Sequence, residues 1–510
     1  MRLDELAGGE IGLSVPPGTG STEIAALTLD SRQVGAGTLF VAVPGRSSDG
    51  RRYIADAVAA GAAAVLAPTG TLWPEGVPQR PLLLDSEPRY TVALLAARLA
   101  GPQPERIAAI TGTNGKTSTA EFLRQLWTLD GVAAASLGTL GVIAPPSKQA
   151  ASQQGGTPQV TGPSMTTPDS IALARILAEL RQDGIGAVAL EASSHGLDQY
   201  RLDGVAITAA GFSNLTRDHL DYHGTLSEYR RAKLRLFDTL LPEGGLAVVN
   251  ADMDAQTLER LTAIAGTRRH QQRTVGERGT AIRLLRATPQ ANGQVLELEI
   301  HGQRHEIALN LPGRTQADNV LLALALADPD EASLTRLLPH AAALAGVRGR
   351  MELAATLPNG AAAYVDYAHT PDALERLLHG LRPHAAGGHL VVVFGAGGDR
   401  DRGKRPMMGA VAQRLADVAI ITDDNPRSEA PTAIRAEIMA ACGNGVAVGG
   451  RERAIAAALQ ALRPGDVLVV AGKGHEQGQT IGDETLPFDD RGVIRRLAGL
   501  SESPEPERTP

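Results

Sequence analysis

Short apolar strands alternate with helical patterns along most of this 510-residue chain, and this alternation is the strongest constraint on its fold. The strand pattern recurs at residues 187–190, 207–212 and 246–250, and a helical pattern covers residues 225–240. Strands that alternate with helices form mainly parallel sheets with helices on both faces. The sequence therefore predicts an α/β protein with doubly wound sheets.

The chain is too long for one hydrophobic core, and its strand–helix series divides into three predicted domains. Residues 1–87 form a small α/β domain, residues 88–345 a central domain with a mostly parallel sheet, and residues 346–500 a Rossmann-like domain. Residues 145–164 are rich in Gln, Ser, Gly and Pro, which predicts a mobile loop. The Pro-rich and charged residues 501–510 predict a disordered tail.

Charge and cysteine content narrow the class of partners and the compartment. The formal net charge of -7 gives no electrostatic reason to expect nucleic acid or an anionic membrane as partner. The opening residues MRLDELAGGE contain acids and no apolar segment, which argues against a targeting signal. The single cysteine, Cys442, fits a reducing compartment. We expect a cytoplasmic protein that works as a monomer.

A glycine-rich turn lies between the apolar strand at residues 107–111 and a helix that we expect to begin near Thr119. This order is typical of a phosphate-binding loop, in which backbone N–H groups approach the phosphates. The Lys can neutralise β- and γ-phosphate charge, and the first hydroxyl after it can ligate Mg²⁺. The sequence therefore predicts ATP binding by Gly112, Thr113, Asn114, Gly115, Lys116, Thr117 and Ser118.

Two polar clusters follow predicted strands of the same sheet. Glu191 begins the segment EASSHG, and His219 lies in NLTRDHLDYHG. Open α/β sheets bind their ligands at the carboxyl ends of their strands. A histidine taken alone is more often a hydrogen-bonded structural group, but a carboxylate and an imidazole beside a phosphate loop favour bound Mg²⁺.

Eight motifs occur in an order that identifies a family resemblance: TGTNGKTS, EASSHGLDQYR, NLTRDHLDYHG, YRRAK, VDYAHTPDALE, FGAGGDRDRGKR, DDNPR and GKGHE. Together they resemble the Mur ligases of peptidoglycan synthesis, over all three predicted domains. The resemblance implies that ATP phosphorylates the γ-carboxylate of a D-glutamate, and that an amine attacks the acyl phosphate to form an amide. The motifs are most similar to those of members that add meso-2,6-diaminopimelate to UDP-N-acetylmuramoyl-L-alanyl-D-glutamate.

The resemblance also implies roles for residues that the sequence alone would leave as structural or surface groups. Lys233 would be carbamylated by CO₂ and would become a Mg²⁺ ligand. Asn319 would contact adenine, while Arg350 and Asp366 would reach phosphate and ribose. The family's usual Phe-Asn pair is replaced here by Thr315-Gln316. The implied catalytic set is Lys116, Glu191, His219 and Lys233, and the implied metal ligands are Thr117, Glu191, His219 and the Lys233 carbamate.

The two remaining substrates have implied sites in different parts of the chain. The acceptor would bind to Leu29, Ser31, Arg46, Ser47, Ser48, Thr166, Thr167, Ser193, Gln199 and Arg201. Diaminopimelate would bind to Arg400, Asp424, Asn425, Pro426, Arg427, Gly472 and Glu476. A planar guanidinium such as that of Arg427 is suited to bind a carboxylate, and diaminopimelate has a second carboxylate that L-lysine lacks.

Three alternatives stay open at this stage. A folylpolyglutamate-synthetase-like ligase shares this kind of phosphate loop, but it lacks an added N-terminal UDP-binding domain and the DNPR arginine. The same reaction with L-lysine would leave Arg427 unused. A catalytically inactive nucleotide-binding regulator would be expected to lose Lys116, Glu191 or Lys233.

Overall fold

A computed structural model describes residues 1–45, 48–145, 159–161, 165–290, 293–385 and 387–500. The strands are β1 Ala26–Thr28, β2 Thr38–Val41, β3 Ala62–Pro68, β4 Leu82–Asp85, β5 Arg106–Thr111, β6 Ala134–Gly138, β7 Gly141–Ala144, β8 Gln159–Thr161, β9 Ala187–Glu191, β10 Ala209–Phe212, β11 Leu246–Asn250, β12 Gln271–Gly276, β13 Ile282–Gln290, β14 Gly293–Ile300, β15 Gln303–Leu309, β16 Glu352–Thr356, β17 Ala362–Asp366, β18 Leu390–Phe394, β19 Val418–Ile421, β20 Gly445–Ala447, β21 Val467–Ala471, β22 Gly478–Ile481 and β23 Glu484–Pro487.

The α-helices alternate with these strands, as the sequence predicts. They are α1 Leu3–Ala7, α2 Ile54–Ala59, α3 Pro88–Ala100, α4 Lys116–Leu129, α5 Ser170–Gln182, α6 Ser194–Asp198, α7 Leu220–His223, α8 Leu226–Arg235, α9 Ala255–Thr267, α10 Arg314–Ala327, α11 Leu338–Ala342, α12 Pro371–Leu381, α13 Lys404–Leu415, α14 Pro431–Met439, α15 Arg451–Ala461 and α16 Asp490–Leu497. None of the helices in the described ranges is long and apolar enough to cross a membrane.

The chain divides into two compact units. Unit 1 comprises residues 1–112, 131–247 and 255–272, and unit 2 comprises residues 113–130, 248–254 and 273–510. Three domains remain recognisable as separate sheets, and the prediction of a three-domain α/β protein with mostly parallel sheets is confirmed. The exact domain boundaries at residues 87 and 345 stay a prediction.

Unit 1 contains two sheets. The N-terminal sheet has the order β1-β2-β3-β4 with parallel neighbours, and α3 packs on it through Val92, Leu95 and Ala96. The second sheet runs β8-β7-β6-β9-β5-β10 within this unit. Strands β6, β9, β5 and β10 are parallel, so their carboxyl ends lie at one edge. That edge carries Glu191 and the residues that follow β5, β6 and β10.

Unit 2 contains a Rossmann-like sheet in the order β16-β17-β21-β18-β19-β20. Only the β16–β17 pair is antiparallel among its described pairs. Strands β18 and β21 are uninterrupted apolar runs, and the last residue of β17 is Asp366; such runs are typical of parallel strands covered on both faces. One core includes Leu374 and Met408, and the other includes Ile455 and Ile494.

The structure corrects several local predictions. Helix α4 begins at Lys116 rather than near Thr119, because Gly115 takes a φ of 90° and already acts as the N-cap. The helix predicted over residues 225–240 ends as an α-helix at Arg235 and continues as a π-helical turn over Leu236–Leu240. Strands β13, β14 and β15 form an antiparallel meander that the βα pattern did not predict.

The loop predicted over residues 145–164 is wrong at β8, which pairs antiparallel with β7. Backbone pairing with a neighbouring strand supplies order there that composition alone does not reveal. The remainder of that prediction falls on residues 146–158 and 162–164, which lie outside the described residues, as do Arg46, Ser47 and the tail at residues 501–510.

Candidate active site

In unit 1 the carboxyl edge of the second sheet brings Gly112 and Lys233 together. Gly112 follows β5, and a methyl group at its α-carbon would overlap Ser213 Oγ. Lys233 Nζ, on α8, donates a 2.6 Å hydrogen bond to the Gly112 carbonyl, and it lies 4.6 Å from the centre of the Tyr229 ring. Only 1% of Lys233 is exposed, so its side chain is a core group rather than the solvated helix lysine that the sequence alone suggests.

Glu191 ends β9 with its carboxylate buried and held by Thr139. The Thr139 N–H donates at 2.7 Å to one carboxylate oxygen, and the Thr139 hydroxyl donates at 3.2 Å to the other. A side chain at Gly138 would overlap the same carboxylate. The Thr167 hydroxyl donates to the Glu191 carbonyl at 2.8 Å. Sequence reasoning missed Thr139, because nothing in its local sequence links it to β9.

His219 belongs to a cluster of aromatic rings in unit 1. Its ring centre lies 5.0 Å from that of His195, which in turn lies 4.2 Å from Tyr222 and 5.5 Å from His223. Burial, which is the largest cause, and the nearby His219 and His223 together lower the pKa of His195 to about 4. His195 is therefore a neutral imidazole at neutral pH. Its position in the EASSHG motif was a signal that sequence reasoning did not use.

A cavity of about 700 Å³ opens beside this cluster, within unit 1. We call it the unit-1 cavity. Its lining comprises Pro44, Gly45, Arg89, Met165, Thr166, Thr167, Ser193, His195, Gln199, Arg201, His219 and Tyr222. Of the predicted acceptor residues that the structure describes, Thr166, Thr167, Ser193, Gln199 and Arg201 line it, and Leu29, Ser31 and Ser48 do not.

Hydrogen bonds connect the polar wall of the unit-1 cavity. Arg201 donates to the Thr167 carbonyl and to Gln199 Oε1, both at 2.7 Å. Gln199 donates to the Tyr222 hydroxyl at 3.1 Å, and that hydroxyl donates to Asp198 at 2.9 Å. Because each side chain is fixed by the next, the donors that face the cavity are held in place before any ligand binds.

In unit 2 the remaining phosphate-loop residues form the start of α4. Lys116 Nζ donates to the Thr113 carbonyl at 2.9 Å, while Thr117 and Ser118 are buried. Asn114 Nδ2 lies 3.5 Å from Asp372 Oδ2. The loop passes so close to Asn319 that a side chain at Gly115 would overlap the Asn319 amide oxygen. The predicted adenine residue therefore packs directly against the phosphate loop.

Gln316 links two residues for which the family resemblance implies nucleotide contacts. Asn319 Nδ2 donates to Gln316 Oε1 at 3.2 Å, and Gln316 Nε2 donates to the Arg350 carbonyl at 2.9 Å. The Arg350 guanidinium stacks 4.5 Å from the centre of the Tyr367 ring. Gln316 therefore keeps an amide where the family's usual pair has Asn, and the larger departure is Thr315 in place of Phe, whose hydroxyl lies 3.6 Å from Met351 Sδ.

Asp366 ends β17 and turns its carboxylate toward two backbone donors. The N–H groups of Met351 and Ala368 donate to it at 2.7 and 2.8 Å. Burial raises the pKa of Asp366, and the positive charge of Arg350 opposes that shift. The positive charge of Arg350 therefore acts on the Asp366 carboxylate, and the contacts of both residues with phosphate and ribose stay a prediction.

The DNPR turn lies at the carboxyl edge of the Rossmann-like sheet, after β19. Arg427 has a φ of 49°, a conformation unusual for a residue with a side chain. Its Nη1 donates to the Gly398 carbonyl at 2.8 Å, and within the described part of the chain the guanidinium makes no ion pair with a carboxylate. Arg400 lies nearby on the exposed loop after β18.

Lys473 joins two of the residues predicted to bind diaminopimelate. Its ammonium is completely buried, and it donates to Asn425 Oδ1 at 2.9 Å and to Glu476 Oε2 at 3.3 Å. Asn425 Nδ2 also donates to Glu476 Oε2 at 3.1 Å. Asp424 is buried beside Gly472, whose φ of 116° brings the backbone against that carboxylate. Sequence analysis identified the GKGHE motif but assigned no role to Lys473 within it.

The predicted Mg²⁺ ligands are distributed over the two units, with Thr117 in unit 2 and Glu191, His219 and Lys233 in unit 1. Across the described ranges, no group of three or more His, Cys, Asp and Glu side chains is arranged to hold a metal ion. The predicted set differs from such a group because it contains a hydroxyl and a lysine, Lys233, that the resemblance implies to be carbamylated. Its oxygen-rich composition fits Mg²⁺.

Comparisons with known proteins cover each of these regions. Family models of the Mur ligases match residues 23–81 (Mur ligase family, catalytic domain), 110–327 (Mur ligase middle domain) and 349–474 (Mur ligase, glutamate ligase domain). The chain is 50% identical to the UDP-N-acetylmuramoyl-L-alanyl-D-glutamate--2,6-diaminopimelate ligase of Caulobacter vibrioides, over 92% of this chain and 94% of that protein.

Solved structures agree with these matches. A structure of a UDP-N-acetylmuramoyl-L-alanyl-D-glutamate--2,6-diaminopimelate ligase superposes with a TM-score of 0.71 at 31% identity, over 98% of this chain and 99% of that one. The Mycobacterium tuberculosis folylpolyglutamate synthase shares the fold at 19% identity, with a TM-score of 0.59 over 81% of this chain and 96% of that one. The chain therefore belongs to the Mur ligase family.

Proposed function

We propose that the protein is an ATP-dependent ligase that joins meso-2,6-diaminopimelate to UDP-N-acetylmuramoyl-L-alanyl-D-glutamate during peptidoglycan synthesis. The observation that carries this proposal is the 50% identity with a relative named for these two substrates, over nearly the full length of both chains. The competing folylpolyglutamate-synthetase assignment rests on the kind of phosphate loop and on a likeness of fold at 19% identity.

The reaction has two steps. The γ-phosphoryl group of ATP is transferred to an oxygen of the D-glutamate γ-carboxylate, and ADP leaves. An amine nitrogen of diaminopimelate then attacks the acyl carbon, phosphate leaves, and the nitrogen loses a proton. Because the first step brings two anions together, it requires cations and ordered donors more than a nucleophilic side chain. Lys116 and the backbone N–H groups of the phosphate loop are suited to that task.

Four residues would hold the Mg²⁺ that we propose as cofactor: Thr117, Glu191, His219 and Lys233. The hydroxyl of Thr117 and the carboxylate of Glu191 are the oxygen donors that Mg²⁺ prefers. Lys233 fits only if its ammonium loses a proton and the neutral amine nitrogen adds to CO₂; loss of a second proton would then leave an anionic carbamate. Bound Mg²⁺ would offset the negative charge of the ATP phosphates and the acceptor carboxylate.

Arg427 supports the choice of diaminopimelate over L-lysine. Diaminopimelate carries an ammonium and a carboxylate where lysine carries only an ammonium. The carboxylate would pair with Arg427, and the ammonium would approach Glu476, which is 35% exposed and already accepts from Lys473. With lysine bound, Arg427 would be desolvated without an anion, at a cost of about 2 to 5 kcal/mol. That cost corresponds to discrimination of roughly 30-fold or more.

The decisive experiment is an ATP-dependent ligation assay that offers meso-diaminopimelate and L-lysine in parallel with the UDP-linked acceptor. We expect ADP, phosphate and a diaminopimelate-containing product, with little product from lysine. A second arm offers a folate with glutamate. Turnover of lysine at an equal rate would refute the specificity, and turnover only in the folate arm would refute the function.

We also propose the cytoplasm as the location, because the substrates are ATP and a UDP-linked precursor. We further propose that the protein is a monomer, and that it binds neither nucleic acid nor a membrane. Size-exclusion chromatography with light scattering would test the monomer, and a mass twice that of the 53.1 kDa chain would contradict it.

A further inference from the structure

We infer that Arg89 is a second anion-binding residue of the unit-1 cavity, where it and Arg201 hold an anionic group of the UDP-linked acceptor. This inference rests on the proposed function, because that function supplies the ligand. Arg89 lies outside every motif that carries the family resemblance, and its position in the cavity is visible only in the structure.

The unit-1 cavity has the composition of an anion site. None of the residues that line it in the described structure is acidic, while two are arginines and five more carry hydroxyl or amide groups. A ligand in this cavity would therefore meet positive charge and hydrogen-bond donors without a competing carboxylate. The acceptor offers two kinds of anion, the diphosphate of UDP and the carboxylates of its D-glutamate.

Arg201 already has its orientation fixed by neutral partners. Its two terminal nitrogens donate to the Thr167 carbonyl and to Gln199, and no carboxylate of the described chain forms an ion pair with it. Burial lowers the pKa of Arg201, the negative charge of Asp169 opposes that shift, and the positive charge of Arg89 adds to it. Guanidinium groups stay charged in proteins, so the two cations repel each other until an anion binds between or beside them.

Arg89 is held in the same way. Its Nη2 donates to the Pro44 carbonyl at 2.7 Å, and no carboxylate of the described chain forms an ion pair with it. It is the second residue of α3, where the positive end of the helix dipole disfavours a cation. Neither helix stability nor an ion pair accounts for an arginine at this position, whereas an anion in the cavity does.

Arg98 provides a contrast on the same helix. It lies in the last turn of α3, where the dipole favours a cation, and it donates to the carbonyls of Glu5, Leu6 and Gly8. Arg98 therefore has a structural role outside the cavity. It is a matched control for a substitution at Arg89.

The test compares steady-state kinetics of full-length Arg89→Gln, Arg89→Lys and Arg98→Ala proteins with the unsubstituted protein. Arg89→Gln removes the charge and shortens the side chain by two atoms, whereas Arg89→Lys keeps a positive charge, so the pair separates the loss of charge from the loss of the Pro44 contact. We expect KM for the acceptor to rise about 10- to 100-fold in Arg89→Gln, with KM for ATP and diaminopimelate unchanged. Arg89→Lys should recover part of the loss, and Arg98→Ala should lower thermal stability without changing the acceptor KM.

Calorimetric binding of UDP and of the sugar dipeptide without UDP identifies the anion. Weaker binding of UDP by Arg89→Gln would show that Arg89 binds the diphosphate. Weaker binding of the UDP-free sugar dipeptide would show that it binds a carboxylate. Either result supports the inference. An unchanged acceptor KM with unchanged binding of both fragments overturns it. If Arg89→Gln shows that result and still ligates normally, the inference about Arg89 fails and the proposed function stands. If the unsubstituted protein has no ligase activity, the proposed function itself is refuted.

Discussion

At the residue scale, Arg427 is the side chain on which the proposed specificity for diaminopimelate depends. Its guanidinium uses one nitrogen to hold the Gly398 carbonyl, and its remaining donors are available to a ligand carboxylate. We predict that Arg427→Ala raises KM for diaminopimelate at least about 30-fold, from the loss of a charge-assisted pair, and leaves KM for ATP within about twofold. Arg414→Ala, at an exposed arginine paired with Glu375, is the control. Equal losses for both substrates would refute the assignment.

Lys473 makes a separate prediction, because its buried ammonium orients Asn425 and Glu476 through two hydrogen bonds. Methionine has a similar length and no donor, so Lys473→Met should leave Glu476 without its buried cation. We expect weaker diaminopimelate binding, about 10-fold or more, and a loss of about 1 to 3 kcal/mol in the free energy of unfolding. Isothermal titration with diaminopimelate and with an ATP analogue separates these effects. A loss of stability with unchanged diaminopimelate affinity would show that Lys473 is only structural.

The proposed Lys233 carbamate is testable by chemical rescue. Lys233→Ala removes a fully buried side chain that donates a hydrogen bond to the Gly112 carbonyl. We expect activity to fall at least about 100-fold, because the loss of one positioned catalytic group typically has an effect of that size. Added short carboxylates should restore part of it, because they supply the anionic oxygens that the carbamate would provide. Mass spectrometry under CO₂ gives a second readout. Failure of rescue in a folded variant would count against the carbamate.

At the element scale, the phosphate loop depends on the close approach between Gly115 and Asn319. Alanine at Gly115 would have to keep a φ of 90° and would overlap the Asn319 amide. We predict that Gly115→Ala raises KM for ATP about 10-fold or more and destabilises the protein by about 1 to 3 kcal/mol. Gly131→Ala is the matched control, since Gly131 has a φ of 84° and no neighbour within 4 Å of an added methyl group. If Gly131→Ala has the same effect on ATP, the contact with Asn319 is not the cause.

The hairpin of β22 and β23 explains how Arg427 keeps its strained backbone. The Arg427 N–H donates to the Thr480 carbonyl at 3.2 Å, and the Gly482 N–H donates to the Arg427 carbonyl at 2.8 Å. The Thr480 N–H also donates to Asn425 Oδ1 at 3.0 Å. A left-handed conformation at a non-glycine residue costs about 1 to 2 kcal/mol, and these bonds offset that cost.

At the scale of the whole molecule, acid stability depends on Glu429. Two hydrogen bonds from the completely buried Arg405 guanidinium hold its carboxylate and are the largest cause of a pKa lowered to about 2 from the usual 4.5, and the Asp399 N–H and Arg402 add to it. Because the ionised form is favoured in the folded state, this stabilisation is fully present above a pH of about 4.5, and it is lost as the pH falls toward about 2. Glu429→Gln should therefore lower the free energy of unfolding at neutral pH. It should also make that free energy fall less steeply as the pH drops below about 4.5. Denaturant unfolding across this pH range checks it, and parallel curves for both proteins would contradict it.

Sequence periodicity predicted the order of strands and helices well, since each βα unit is set by local apolar patterning. It failed where order depends on distant partners. Strand β8 is ordered through pairing with β7, and the meander of β13 to β15 interrupts the βα pattern. The candidate site shows the same division: Thr139 and Arg89 lie outside the motifs and were missed, and Lys473 was missed although it lies inside GKGHE, because each is defined by a contact with a residue far away in the chain.

By itself the sequence determined the α/β class, the phosphate loop and the Mur ligase motifs, because these depend on local spacing and on the conformational freedom of a few glycines. Tertiary structure decided which side chains share a cavity, which lysines are buried, and what supports the strained backbone of Arg427. Those properties depend on desolvation and on hydrogen bonds between distant residues, such as that from Lys473 to Asn425. Such contacts exist only after the chain has folded, and they leave no local pattern in the sequence.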